Sequence, residues 1–247
     1  MAAIDLVTLA KPKSPISEAY RTLRTNIQFS ALDKKIKKIV ITSSGPAEGK
    51  TSTALNLAIT LAQNGHKTLL LDCDMRKPSI HKRMKISNLN GLSDILLGES
   101  SIEDATTNVE LEHLYIITAG TKPPNPAELL SSQKMINFLN SIEEKYEYII
   151  IDTPPVLMVT DAQILSKYAD GTILVVASRE AEKNGVKRAK ELLEKVDANI
   201  LGVVLNKLDT SKKGYYGYYY NYYYGSEPDK RTKSKKGFFF KRLVQSR

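Results

Sequence analysis

A lysine, three aspartates and a glycine-bearing loop are the groups in this chain best placed to handle a phosphorylated ligand. Lys38-Ile-Val-Ile-Thr42 runs into Ser43-Ser-Gly-Pro-Ala-Glu-Gly-Lys-Thr51, and a helical stretch follows. Strand, loop, Lys-Thr, helix is the order of a P-loop. In it, loop N–H groups and the helix N-terminus point inward at phosphate oxygens. The candidate nucleotide contacts are Gly45, Pro46, Ala47, Glu48, Gly49, Lys50, Thr51 and Ser52. Lys50 adds a point charge at the β/γ-phosphates, and the Thr51 hydroxyl is a candidate Mg²⁺ ligand. The usual first glycine of G-x4-G-K-[ST] is Ser44 here, with Gly45 one step later.

Two acidic strand ends complete the constellation. Leu69-Leu-Leu-Asp72-Cys-Asp74-Met-Arg76 and Tyr148-Ile-Ile-Ile-Asp152-Thr-Pro-Pro155 put carboxylates at the carboxyl edge of apolar runs. Ligands bind at that edge in an open parallel sheet. An aspartate behind four apolar residues is poorly solvated unless a cation is near, which Mg²⁺ supplies. Helix capping is the plain alternative for any one of them; three together with Lys50 argue against it. Strand alternation puts Asp72 and Asp74 on one face, so a base and a metal ligand are not separable there. Asn206-Lys-Leu-Asp209 matches the guanine-selecting N-K-x-D pattern. An Asn at this place in dimeric P-loop ATPases faces the adenine edge, so Asn206 is kept as a base contact without inferring guanine.

Alternating elements must position these groups. Strands are expected at Lys38–Thr42, Thr68–Leu71, Leu114–Thr118, Tyr148–Ile151, Thr172–Ala177 and Ile200–Leu205, each apolar on both faces as in helix-covered parallel sheets. Helices are expected at Thr51–Asn64, Ala127–Lys145, Asp161–Tyr168 and Lys183–Val196. Gly65 should end the first, and Ser101-Ile-Glu-Asp104 should open a short one. A further helix over 15–30, capped by Ser14, carries Ile16, Tyr20, Leu23 and Ile27 as an apolar stripe. The pattern argues for an α/β fold, a doubly wound, mostly parallel sheet with helices on both faces. Residues 1–210 form the P-loop domain. Residues 211–247, rich in Gly, Lys and Tyr without periodicity, read as a disordered tail.

Charge narrows the function. Lys and Arg number 36 against 27 Asp and Glu, for +9 overall. From Ser211 onward ten basic residues face two acidic ones, so the tail holds +8 and the rest is near neutral. Whole-protein nucleic-acid binding thus loses its compositional support. No apolar run is long enough to cross a bilayer, no signal peptide opens the chain, and Cys73 is a lone cysteine. A cytoplasmic protein without disulfides is expected.

The tail carries Tyr215, Tyr216, Tyr218, Tyr219, Tyr220, Tyr222, Tyr223 and Tyr224, eight of the 13 tyrosines. A hydroxyl-bearing segment tethered to an ATP site has a high effective concentration at a neighbouring copy's site. With these residues quoted, the chain resembles the bacterial tyrosine kinases of polysaccharide synthesis, the BY-kinases, in their separate cytoplasmic form. The resemblance rests on the P-loop, Asp72-x-Asp74-x-Arg76, Asp152-Thr-Pro-Pro155 and Pro123-Pro-Asn-Pro-Ala-Glu-Leu-Leu130. Glu18-x-x-Arg21-x-x-Arg24 and the terminal tyrosines add to it.

The resemblance implies an ATP- and Mg²⁺-dependent kinase that phosphorylates its own tyrosines in trans and regulates capsular or extracellular polysaccharide synthesis. Lys50, Asp72, Asp74 and Asp152 would be catalytic, with Asp72 the base and Thr51, Asp74 and Asp152 at the metal. Glu18, Arg21 and Arg24 would pack against a neighbouring subunit in a homo-oligomeric ring; a solvated Glu18–Arg21 pair is the plain alternative. Also implied are a transmembrane activator that recruits the enzyme to the inner membrane face and a phosphotyrosine phosphatase. A ParA/MinD-like ATPase switch is the alternative, but it has no use for the tyrosines. Residues 226–247 extend beyond the family pattern. Their basic residues around Phe238–Phe240 are expected on an anionic membrane surface, at ~1 kcal/mol per cation, until phosphorylation cancels the charge.

Overall fold

Apolar runs with two buried faces become the inner strands, and the amphipathic stretches between them become the covering helices. The structure, a computed structural model, describes residues 6–30 and 35–208. In chain order it begins with α1 (Val7–Ala10), α2 (Pro15–Ser30), β1 (Lys38–Ser43), α3 (Lys50–Gln63) and β2 (Thr68–Asp72). Next come α4 (Ile80–Met84), α5 (Leu92–Leu97), α6 (Ile102–Ala105), β3 (Thr106–Asn108) and β4 (Leu114–Ile117). The remainder is α7 (Pro126–Leu130), α8 (Gln133–Glu143), β5 (Tyr148–Asp152), α9 (Asp161–Ser166), β6 (Gly171–Ala177), α10 (Lys183–Glu194) and β7 (Ile200–Asn206). The tyrosine tract, Asp209 and the basic extension lie outside the described residues.

The seven strands lie in the order β3-β4-β2-β5-β1-β6-β7. All pairings are parallel except β3 with β4, which is antiparallel. Alternation sorts the core into two layers. Ile39, Ile41, Leu70 and Ile150 pack with α3 and with Ile27 of α2. Val40, Leu69, Leu71, Ile149 and Ile151 pack with Leu92 of α5, Met135 and Phe138 of α8 and Leu165 of α9. The fold is the doubly wound, mostly parallel α/β architecture.

Several local expectations hold. Ser14 Oγ accepts the Ser17 N–H (3.2 Å) at the start of α2. Ser101 Oγ accepts the Asp104 N–H (3.0 Å) to open α6. Behind α3, Gly65 takes a positive φ of 86° while its N–H and that of His66 close on Ala62 and Leu61 carbonyls.

Others need correction. The stretch Ala127–Lys145 is two helices, because Ser132 takes an extended conformation and caps α8 by accepting the Met135 N–H (3.3 Å). The stripe on α2 is broken: Ile16 is exposed, and Ser17 is buried in its stead, its hydroxyl bonded to the Val7 and Lys11 carbonyls. Among the described residues the last strand is not covered on both faces; β7 is there an edge strand with Val203 and Leu205 exposed. Finally, α1, α4, α5 and the antiparallel β3 were not expected at all.

Candidate active site

The carboxyl ends of β1, β2 and β5 are neighbours, so the chain brings its phosphate loop and its three aspartates together. Asp72 and Asp152 are register partners on adjacent strands. Both are fully buried.

The loop between β1 and α3 is held from behind by one side chain. Glu48 is buried, and its Oε1 accepts from the Ser44 hydroxyl and the Gly45 N–H. Its Oε2 accepts the Ala177 N–H at the end of β6 (3.0 Å). Asn206, at the end of β7, donates its side-chain amide to the Glu48 carbonyl (2.9 Å). Gly49 is confined by this arrangement. Its φ is 95°, and a Cβ there would lie 2.0 Å from Asn206 Nδ2, so both backbone and space demand glycine. Ala47 also has positive φ. The sequence places Glu48 and Asn206 among nucleotide contacts; here the side chain of each also braces the loop.

Lys50 opens α3 and reaches across the site. Its Nζ lies 3.0 Å from Asp74 Oδ2, 3.6 Å from Asp152 Oδ1 and 3.3 Å from Thr51 Oγ1. Burial alone would lower the lysine's pKa. The charges of Asp152, Asp74 and Asp72 outweigh it and hold the ammonium charged. Asp152 has its pKa raised, burial prevailing over the opposing pull of Lys50 and Thr51. Neither of its oxygens receives a hydrogen bond of normal length. A buried, under-bonded carboxylate beside a threonine hydroxyl and a second aspartate suits a hard cation. Among the described residues no cluster of three or more His, Cys, Asp and Glu could hold a metal by itself. That is compatible with Mg²⁺, which binds through one or two carboxylates plus substrate phosphates and water.

Asp72 and Asp74 take different partners. The strand stops at Asp72, and the pleat does not extend to Asp74. Asp72 accepts N–H groups from Asp74, Ser79 and Ile80 at 3.1–3.2 Å. Burial, then the neighbouring Asp152, push its pKa up to about 7. Asp74 instead turns Oδ2 to Lys50 and accepts the Lys77 N–H on Oδ1 (3.0 Å).

Two supports escaped the sequence reading. Arg76 donates through Nε and Nη2 to both oxygens of buried Asp161, each at 3.0 Å, fastening the loop after β2 to α9. Arg83 on α4 donates to Ser52 Oγ (2.9 Å). An acid opening a helix nine residues beyond Asp152, and a basic run beginning at Arg76, were the available signals. Away from the pocket, Glu18 pairs with Arg21 at i,i+3. Arg21 also donates to the Pro12 carbonyl, and Arg24 to the Thr60 carbonyl (3.2 Å).

A phosphate loop on β1 with acids closing β2 and β5 defines a P-loop ATPase-like domain, and the AAA domain family matches residues 36–206. The chain is 45% identical over 215 residues to tyrosine-protein kinase YwqD of Bacillus subtilis (strain 168), spanning 87% of this chain and 91% of that one. The crystal structure of the chimerical protein CapA2B2 matches with a TM-score of 0.80 at 46% identity, over 83% of this chain and 90% of that one. The septum site-determining protein MinD of Pyrococcus horikoshii OT3, solved with Mg-ADP, matches with a TM-score of 0.62 at 26% identity, over 72% of each chain. The chain belongs to the bacterial tyrosine-protein kinases.

Proposed function

We propose that this enzyme transfers the γ-phosphoryl group of ATP to tyrosines 215–224 of a neighbouring copy, in an assembly built partly through Glu18, Arg21 and Arg24. The observation that carries the reading is Lys50, suspended between Asp74 and Asp152 at the mouth of the phosphate loop, with Asp72 buried beside them. Lys50 exchanges carboxylate partners for phosphate oxygens as ATP enters, and the N–H groups of the loop and of Thr51 and Ser52 orient the phosphates. Mg²⁺, when bound, would be held by Thr51, Asp74 and Asp152 and would neutralise phosphate charge. Asn206 borders the base.

A phenol with a pKa of ~10 is a poor nucleophile until its proton is accepted. Asp72 takes that proton as the tyrosine oxygen bonds to phosphorus and the bond to ADP breaks. A carboxyl near pH 7 is better matched to the task than an ordinary aspartate. The transition state is loose, so placement and charge supply most of the acceleration.

The wider setting follows the family: regulation of capsular or extracellular polysaccharide synthesis, a transmembrane activator, and a phosphatase that resets the tyrosines. No helix among the described residues is long and apolar enough to cross a membrane, which suits recruitment to the inner membrane face by a partner. The basic extension would add affinity for anionic lipid. A MinD-like switch is the second reading, favoured by the match to MinD.

Mixing two variants tests transfer in trans. A Lys50→Met copy with intact tyrosines is incubated with a copy whose eight tail tyrosines are Phe, plus Mg²⁺-ATP and an activator fragment. Phosphotyrosine on the Lys50→Met copy supports the reading; ATP turnover with that copy unmodified supports the switch.

A further inference from the structure

Between Asp74 and Asp94 the chain has no acidic residue, while Arg76, Lys77, Lys82, Arg83 and Lys85 crowd its first half beside His81. The site's own carboxylates hold the backbone of this basic segment: Asp74 accepts the Lys77 N–H, and Asp72 those of Ser79 and Ile80. Its far end is tied by Arg83 to Ser52, in the first turn of α3. The segment therefore runs from the site's carboxylates at the end of β2 to the first turn of the phosphate-loop helix, and beyond it Met84 and Ile86 turn in against Leu9 and Val109. Arg76 is engaged by Asp161, but Lys77, Lys82 and Lys85 are exposed. Burial lowers the pKa of His81, and the Lys82 charge adds to that.

The tyrosine tract presents a changing charge to such a surface. Residues 214–225 contain no ionised side chain at neutral pH. Each phosphate added brings about −1.5 to −2 charges and three acceptor oxygens. Lysines gain little from the unmodified tract and charge-assisted hydrogen bonds from the modified one.

We propose that Lys77, Lys82 and Lys85 form an acceptor-side site for phosphotyrosine-bearing segments of a second copy, so that a tract phosphorylated once is retained and modified again. The inference rests on the tyrosine-kinase reading of the same site and names the acceptor it prefers, an anionic tyrosine peptide. Being exposed, the contacts are screened by salt over a Debye length of ~10 Å at 0.1 M.

Binding without ATP tests this apart from catalysis. A fluorescent peptide of residues 214–225, unmodified or phosphorylated at Tyr222, is titrated with the full-length protein at about 50 mM salt and followed by anisotropy. The phosphorylated peptide should bind about tenfold tighter, with the preference shrinking at about 0.3 M salt. Lys77→Gln/Lys82→Gln/Lys85→Gln should abolish the preference; Lys82→Gln/Lys85→Gln, which leaves the site loop intact, should reduce it. Equal affinities, or a preference that survives both variants (and so belongs to the basic tail), overturn the proposal. So does lysine-dependent capture of phosphatidylserine vesicles without any peptide preference, which assigns the surface to lipid. Failure of the kinase reading would appear separately, as wild-type protein that binds the peptide but never phosphorylates it.

Discussion

Asp72 is one carboxylate among three, and its surroundings set it apart. With its folded pKa near 7 and an unfolded value of ~3.9, the folded state holds this proton over a range where the unfolded chain has released it. Its contribution to stability is therefore fully present below about pH 4 and is lost as pH rises toward 7. In metal-free protein, raising the pH from 5 to 7.5 should cost wild type more unfolding free energy than Asp72→Asn, as read by urea denaturation. Parallel curves would contradict this. Glu48 makes a second test. Glu48→Ala orphans the Ala177 and Gly45 N–H groups, at roughly 1–3 kcal/mol each. The loss should appear in urea midpoints and in weaker nucleotide binding, with Glu48→Gln falling between. Asp72 and Asp152 were readable from the sequence because each closes an apolar run, Asp74 because it lies two residues further on, and Lys50 because it ends the glycine-bearing loop. The differing partners of Asp72 and Asp74 were not, since they depend on where the strand ends. Nor was the Glu48 brace, whose donors Ala177 and Asn206 lie on β6 and β7, more than a hundred residues downstream.

Two brackets hold the elements around the pocket. The first joins the phosphate loop to β6 and β7 through Glu48 and Asn206. Gly49→Ala places a Cβ against the Asn206 amide and strains the backbone, so nucleotide affinity should fall at least about tenfold, or ~1.4 kcal/mol. Adding Asn206→Ala removes the collision but not the strain; partial recovery, by calorimetry, is the expected result. The second joins the loop after β2 to α9. Arg76→Ala leaves buried Asp161 without its guanidinium and should cost roughly 3 kcal/mol, the low end for breaking a buried pair because Arg76 is partly exposed. Chemical denaturation reads it, and no change in midpoint would show the pair to be dispensable. Six parallel strands were readable as apolar runs. The short α4 and α5 have too few turns to show a period, and β3 is a three-residue strand too short for alternation to register. Ser132 divided a continuous apolar pattern that periodicity alone would join.

At the level of the complete chain, a near-neutral catalytic domain carries a tract of tyrosines and a basic extension outside the described residues. The charge division and the tract were plain from composition, whereas the resemblance that ties them to the site rested on the motifs around Lys50, Asp72 and Asp152. What composition does not carry is the path from one copy's tyrosines to another copy's phosphate loop. On the proposed mechanism, Lys50 and the three aspartates deliver phosphate to a phenol rather than to water. Wild-type protein incubated with Mg²⁺, γ-labelled ATP and an activator fragment should be assayed for both destinations, by mass spectrometry of the 215–224 peptide and by release of free phosphate. Label should appear on those tyrosines, absent in Lys50→Met, in excess of label released. Label recovered wholly as free phosphate, with unmodified tyrosines, would contradict that mechanism.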